Sequence, residues 1–169
     1  MNPRSTLRTI VLTGLCLLGL TSTASAQEQF RAPTWSRVTG SAGLRLASDN
    51  LGVGLGARAG YTLPQGIYVG GQTDYFFGEN SLSALSFMAE GGYDFGVVEN
   101  LVLRPVLLLG LVDISVDNCS SCGATEVDVG LGGQAYYYIT PQLNVGGELR
   151  VLFGGADFFV LGGHVGTTL

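Results

Sequence analysis

From Arg37 onward, large apolar residues recur at every second position, with small or charged residues between them. Successive side chains of a strand point to opposite faces, so this period marks β-strands with two unlike faces. Residues 51–61 show it: Leu51, Val53, Leu55, Ala57, Ala59 and Tyr61 alternate with Gly52, Gly54, Gly56, Arg58 and Gly60. The pattern predicts eight strands, at about 37–47, 51–61, 67–77, 85–95, 101–112, 125–138, 143–153 and 158–169. A slip of one residue would move a strand's whole apolar set to its other face. The charges therefore test the phase. Arg45, Arg58, Asp74, Glu90, Asp94, Arg104, Glu126, Asp128, Glu148 and Arg150 all fall opposite the large apolar residues. The acids on the apolar phase, Glu79, Glu99, Asp113, Asp117 and Asp157, fall in expected loops.

Residues 1–26 read as a secretory signal peptide. Arg4 and Arg8 precede the apolar stretch 10–20, and Ala24-Ser25-Ala26 supplies an A-x-A cleavage pattern. Cys16 follows the bulky Leu15, which argues against a lipoprotein signal. Residues 27–35 are then an N-terminal periplasmic tail, and 36–169 the barrel domain. The last expected strand reaches Leu169, so no periplasmic peptidoglycan-binding domain is expected after it. No other stretch has the roughly 20 apolar residues of a spanning helix. The 13 acidic residues outnumber the 8 basic ones, all of them Arg, which leaves no basic footprint for nucleic acid and no lysine for Schiff-base chemistry.

Two architectures share this alternation. A secreted soluble, lipocalin-like barrel would turn the apolar face inward around a small apolar ligand, whereas a transmembrane barrel turns it outward into lipid. Three features favour lipid. The charged face carries mostly Gly, Ser and Gln, which suit the narrow bore of an eight-stranded barrel better than a solvated surface. Strands of about 10 to 12 residues match the 9 to 11 that cross a bilayer at a tilt. Aromatic residues gather near strand ends, at Trp35, Tyr61, Tyr75-Phe76-Phe77, Tyr93, Phe95, Tyr136-Tyr137-Tyr138, Phe153 and Phe158-Phe159. Each Arg facing lipid at midplane would cost about 2–4 kcal/mol. The nine charges from Arg58 onward, with each acid costing somewhat less, would together exceed a domain's total stability of about 5–15 kcal/mol, so in a membrane the charges must face the lumen. The expected fold is all-β: an eight-stranded antiparallel up-and-down transmembrane β-barrel. Short turns at 62–66, 96–100 and 140–142 alternate with outer loops at 48–50, 78–81, 113–124 and 154–157. Three of those four loops are too short for broad adhesion.

The phrases Y-T-L-P-Q-G-I-Y-V-G-G, Y-D-F-G-V-V-E-N-L-V-L and Y-Y-Y-I-T-P-Q-L-N-V-G-G-E-L each join an aromatic strand end, a short turn and an alternating strand. In these the chain resembles the small outer-membrane β-barrel family that includes the OmpA transmembrane domain and OmpX. The resemblance implies a place in the outer membrane of a diderm bacterium, surrounded by its lipid and inserted by the barrel-assembly machinery, as a monomer. Family members commonly end in an aromatic residue, whereas this chain ends Thr167-Thr168-Leu169. Pro105 falls inside a strand, where it removes a ladder donor and predicts a bulge or irregular pairing.

The expected site is a polar lumen network of Arg45, Arg58, Asp74, Glu90, Asp94, Arg104, Glu126, Asp128, Glu148, Arg150 and His164. Hairpin centres place Arg104 opposite Gly92, between Glu90 and Asp94, and Glu148 opposite His164, as a bonded pair. The network reads as a polar core that satisfies its own charges; a gated ion path through it is the second reading. His164 is the one histidine, which excludes multi-histidine metal sites, and no serine nucleophile follows it in its strand. No catalytic residue, metal or cofactor is expected, and a small outer-membrane lipid-modifying enzyme is the alternative. Cys119 and Cys122, in the longest outer loop, most simply form a disulfide in an exported protein; their C-x-x-C spacing also occurs in zinc and redox sites. Gly52-x-Gly54-x-Gly56 lacks the strand-to-helix context and lysine of a phosphate loop.

Overall fold

The computed structural model describes residues 37–48, 51–78, 82–116, 123–155 and 157–169. The expected signal peptide and tail, Trp35, Glu79, Asp117 and the Cys119/Cys122 pair lie outside them. The strands are β1 (Arg37–Ala47), β2 (Gly52–Thr62), β3 (Ile67–Phe77), β4 (Leu82–Tyr93), β5 (Phe95–Val98), β6 (Leu101–Val116), β7 (Ala124–Tyr138), β8 (Leu143–Phe153) and β9 (Phe158–Thr168). β5 continues β4 past Asp94, and both pair with β6, so the sheet has eight staves. Every pairing is antiparallel, and β1 pairs with both β2 and β9, which closes the barrel.

Stepping between partners from Ala47 through Val160, Arg150, Gly132, Val106, Gly92, Tyr68 and Thr62 returns to β1 at Arg37, ten residues lower. With about 3.3 Å per residue and 4.8 Å between strands, that stagger tilts the strands by about 40°. An 11-residue strand such as β1 then rises about 27 Å, close to the roughly 25 Å apolar band of a membrane barrel.

The apolar face points outward. Leu44, Leu107 and Val127 are 61%, 64% and 64% exposed, whereas Arg45, Arg58, Asp74, Glu90, Arg104, Asp128, Glu148 and Arg150 are buried. Exposed aromatics form two belts: Tyr61, Tyr93, Phe95 and Tyr137 toward the end with the short turns, and Tyr75, Phe77 and Phe159 toward the end with the loops. Phe76, Tyr136 and Phe158 instead point inward and are buried, and Tyr138 lies under the Arg37 guanidinium, 5.3 Å from ring centre to Cζ.

Several boundaries differ from the sequence reading. The turn expected at 96–100 shrinks to Glu99-Asn100 because β5 pairs as far as Val98, with a register shift between Gly96 and Val98. The loop expected at 113–124 is shorter because β6 runs to Val116 and β7 starts at Ala124. Asp113 therefore sits in a strand on the outer face, beyond the loop-end belt. There Ser115 Oγ and Thr125 Oγ1 donate to its carboxylate at 3.1 and 2.8 Å. Leu51 precedes β2 and turns inward, since Gly52 adopts φ +60°, a left-handed conformation that breaks the alternation. Pairing with β7 runs through Pro105 without a shift. The irregularity expected there falls on its other side: β4 ends opposite Val106 and β5 resumes opposite Leu103.

Candidate functional site

The lumen below the loop-end rim is built of arginines and carboxylates projecting from different staves. Nearest the short turns, Arg104 Nε bonds Asp94 Oδ1 at 2.5 Å and Arg37 Nη2 bonds Asp94 Oδ2 at 2.9 Å. The Arg104 Cζ also lies over the Tyr68 ring, 3.6 Å from its centre, and 4.7 Å from that of Tyr136. At mid-height, Arg58 Nε bonds Glu90 Oε2 at 2.8 Å while its Nη2 bonds Glu148 across the bore. Gln134 Nε2 and Tyr68 OH donate to Glu90 at 3.2 and 3.1 Å. In the next layer, Arg45 Nε lies 2.5 Å from Glu148 and 3.2 Å from Asp74, and Arg150 Nη2 bonds Asp74 at 2.7 Å. Ser86 Oγ also donates to Asp74, at 3.2 Å. Asp74 on β3 and Arg150 on β8 stand on opposite walls, so this pair ties the two sides of the barrel together.

Such side chains fit because glycine occupies the facing positions. A Cβ on Gly56 would overlap Asp74 Oδ1 and crowd Arg45, and one on Gly60 or Gly70 would overlap the Tyr68 ring. The small residues of the charged face are thus the space into which neighbouring long side chains lie, as a narrow bore requires.

Eight of the eleven expected residues join this network: Arg45, Arg58, Asp74, Glu90, Asp94, Arg104, Glu148 and Arg150. The register corrects two expected neighbourhoods. Gly92 faces Val106, which brings Arg104 level with Asp94, because the turn holds two residues where five were expected. Glu148 faces Gly162 and His164 faces Gly146, because the β8–β9 hairpin centres on Gly155, one residue earlier than expected, with Gly154 at φ +147°. His164 is therefore not bonded to Glu148. Its ring packs on Tyr136 at 4.9 Å between centres, and neither ring nitrogen has a hydrogen-bond partner. Asp128 is buried near the loops and accepts the Gly155 N–H at 2.8 Å, and Glu126 is only partly buried above it.

The sequence reading missed Arg37, Tyr68 and Tyr136. Arg37 lies an even number of positions from Arg45, so strand phase alone would have placed it inside. The two tyrosines were hidden among girdle candidates and glycines. It also missed an apolar cluster at the loop end of the lumen, where Leu51, Phe76, Ala84, Leu152, Phe158 and their neighbours share that end with the buried Asp128. Among the described residues, no group of three or more His, Cys, Asp or Glu is arranged to hold a metal ion.

No protein-family model and no curated protein matches the sequence. Solved structures do match by shape. Neisserial surface protein A aligns at a TM-score of 0.58 with 19% identity, over 79% of this chain and 96% of that one. The chain has the fold of the small outer-membrane β-barrels. The N-terminal barrel domain of Pseudomonas aeruginosa OprF aligns at 0.56 with 20% identity, over 79% and 97% of the two chains. A major outer membrane protein from Thermus thermophilus aligns at 0.61 with 10% identity, over 80% and 100%. These barrels share the architecture of this one; at such identities they say nothing of its individual side chains.

Proposed function

We propose that this barrel resides in the outer membrane of a diderm bacterium as a monomeric, non-catalytic protein with a structural or surface-interaction role. Residues 1–26 direct export, the assembly machinery inserts the chain, and Cys119 and Cys122 pair in the oxidising compartment. One observation carries the reading: an apolar outer wall between two aromatic belts encloses a bore cross-linked by buried ion pairs. That arrangement suits lipid outside and a packed interior, and it inverts what a soluble apolar-ligand carrier needs. Against the lipid-modifying alternative, neither ring nitrogen of His164 has a hydrogen-bond partner, so among the described residues the imidazole is not paired with a serine or threonine hydroxyl. Purified barrel in phospholipid vesicles tests the proposal. The expected result is a heat-dependent gel shift, which reports the folded barrel, with no hydrolysis or transfer of lipid acyl chains. Turnover abolished by His164→Ala would overturn the non-catalytic assignment.

A further inference from the structure

The lumen changes character along its axis. Toward the loops, Phe76 on β3 meets Phe158 on β9 edge to face, 6.0 Å between ring centres, although three steps of the sheet separate those staves. Their contact therefore crosses the bore. Leu108 and Leu152 approach one another over Gly130, and Gly54 leaves room for the Phe76 ring. The cluster draws members from β3, β4, β6, β8 and β9 together with Leu51, so it reaches around most of the circumference.

Toward the turns the lumen is polar and incompletely bonded. Arg45 Nη2, Arg58 Nη1, Arg150 Nε and Nη1, and Gln72 Nε2 are buried donors without a hydrogen-bond partner in the protein. Nearer the turns Asn144 Oδ1, Thr168 Oγ1, Arg37 Nε and both nitrogens of His164 are further buried polar atoms without a hydrogen-bond partner in the protein. Leaving so many polar atoms dry would exceed a domain's whole margin of stability, so water must bridge them. Solvent reaches the turn-end rim, where Arg37, Asp94 and Thr168 are 7%, 8% and 8% exposed.

We propose that the apolar cluster is a seal, and that the lumen beneath it is a hydrated chamber that water enters from the turn end and cannot leave at the loop end. The ion pairs brace this chamber; the seal is what stops passage, since an apolar constriction excludes water and ions by dewetting. The inference rests on the membrane-spanning reading, which the gel shift tests separately.

Two measurements on the full-length barrel decide it. In planar bilayers the native barrel is expected to be electrically silent, whereas the Phe76→Ser/Phe158→Ser double variant shows discrete conductance steps. Silence from a double variant that retains its gel shift would overturn the seal. The second measurement needs no variant. In the native barrel in micelles, nuclear magnetic resonance is expected to show water cross-peaks at the guanidinium protons of Arg45, Arg58 and Arg150 and none at the methyl groups of Leu108, Leu152 and Val160. Absent cross-peaks at the arginines, or water at those methyls, would overturn the proposal even where the double variant does not fold.

Discussion

Glu148→Gln is expected to lower the unfolding free energy of the barrel by about 3–5 kcal/mol, the usual loss when one partner of a buried ion pair is removed. Glu148 is where the network converges: Arg45, Arg58 and Arg150 all reach it, and each of their side chains is 3% exposed or less. Neutralising it leaves three buried guanidinium groups sharing Asp74 and Glu90. Glutamine keeps the size and one acceptor, so the loss reports charge pairing and not a cavity. Urea unfolding in phospholipid vesicles, followed by far-ultraviolet circular dichroism, measures the difference. Glu99→Gln, in the exposed turn between β5 and β6, is the control and should change stability by no more than about 0.5 kcal/mol. Equal effects from the two substitutions would mean that the lumen charges are hydrated separately and that the network holds nothing together.

Leu107→Arg is expected to cost about 2–4 kcal/mol in vesicles, the range for an arginine on the lipid face near the bilayer midplane. Leu107 is 64% exposed and sits six residues into β6, between the two aromatic belts. Arginine at Leu143, by the short turns at the start of β8, should cost only about 0–1 kcal/mol, because it can reach the interface. The depth dependence is the informative part. On a barrel surrounded by water, an arginine at either exposed position would be tolerated within about 0.5 kcal/mol.

The strands and the inward face were legible because both depend on local alternation. A charge every few residues on one phase is enough to orient a strand, and Arg58, Asp74 and Glu148 needed nothing more. Partners across the lumen were not legible. Arg150 meets Asp74 because ten residues of stagger bring β8 and β3 to one height, and that stagger is a property of the closed sheet. Hairpin centres depend on details that period two does not carry. The two-residue Glu99-Asn100 turn and the left-handed Gly154 shift the β4/β5–β6 and β8–β9 registers, and with them the partners of Arg104 and His164. The seal was hidden for another reason. β6 is apolar on both faces, so Val106, Leu108 and Val112 looked like part of one hydrophobic run, while Phe76 and Phe158 stood beside outward aromatics that masked their phase.

Fractionating the native cells tests the central claim, an apolar wall facing lipid around an ion-paired core, most directly. The protein is expected in the outer-membrane fraction, released by detergent and not by salt or alkaline washing, and shifting in mobility only after heating. Recovery in the soluble periplasmic fraction without detergent would contradict the account, because every exposed leucine and valine of the wall would then have to face water.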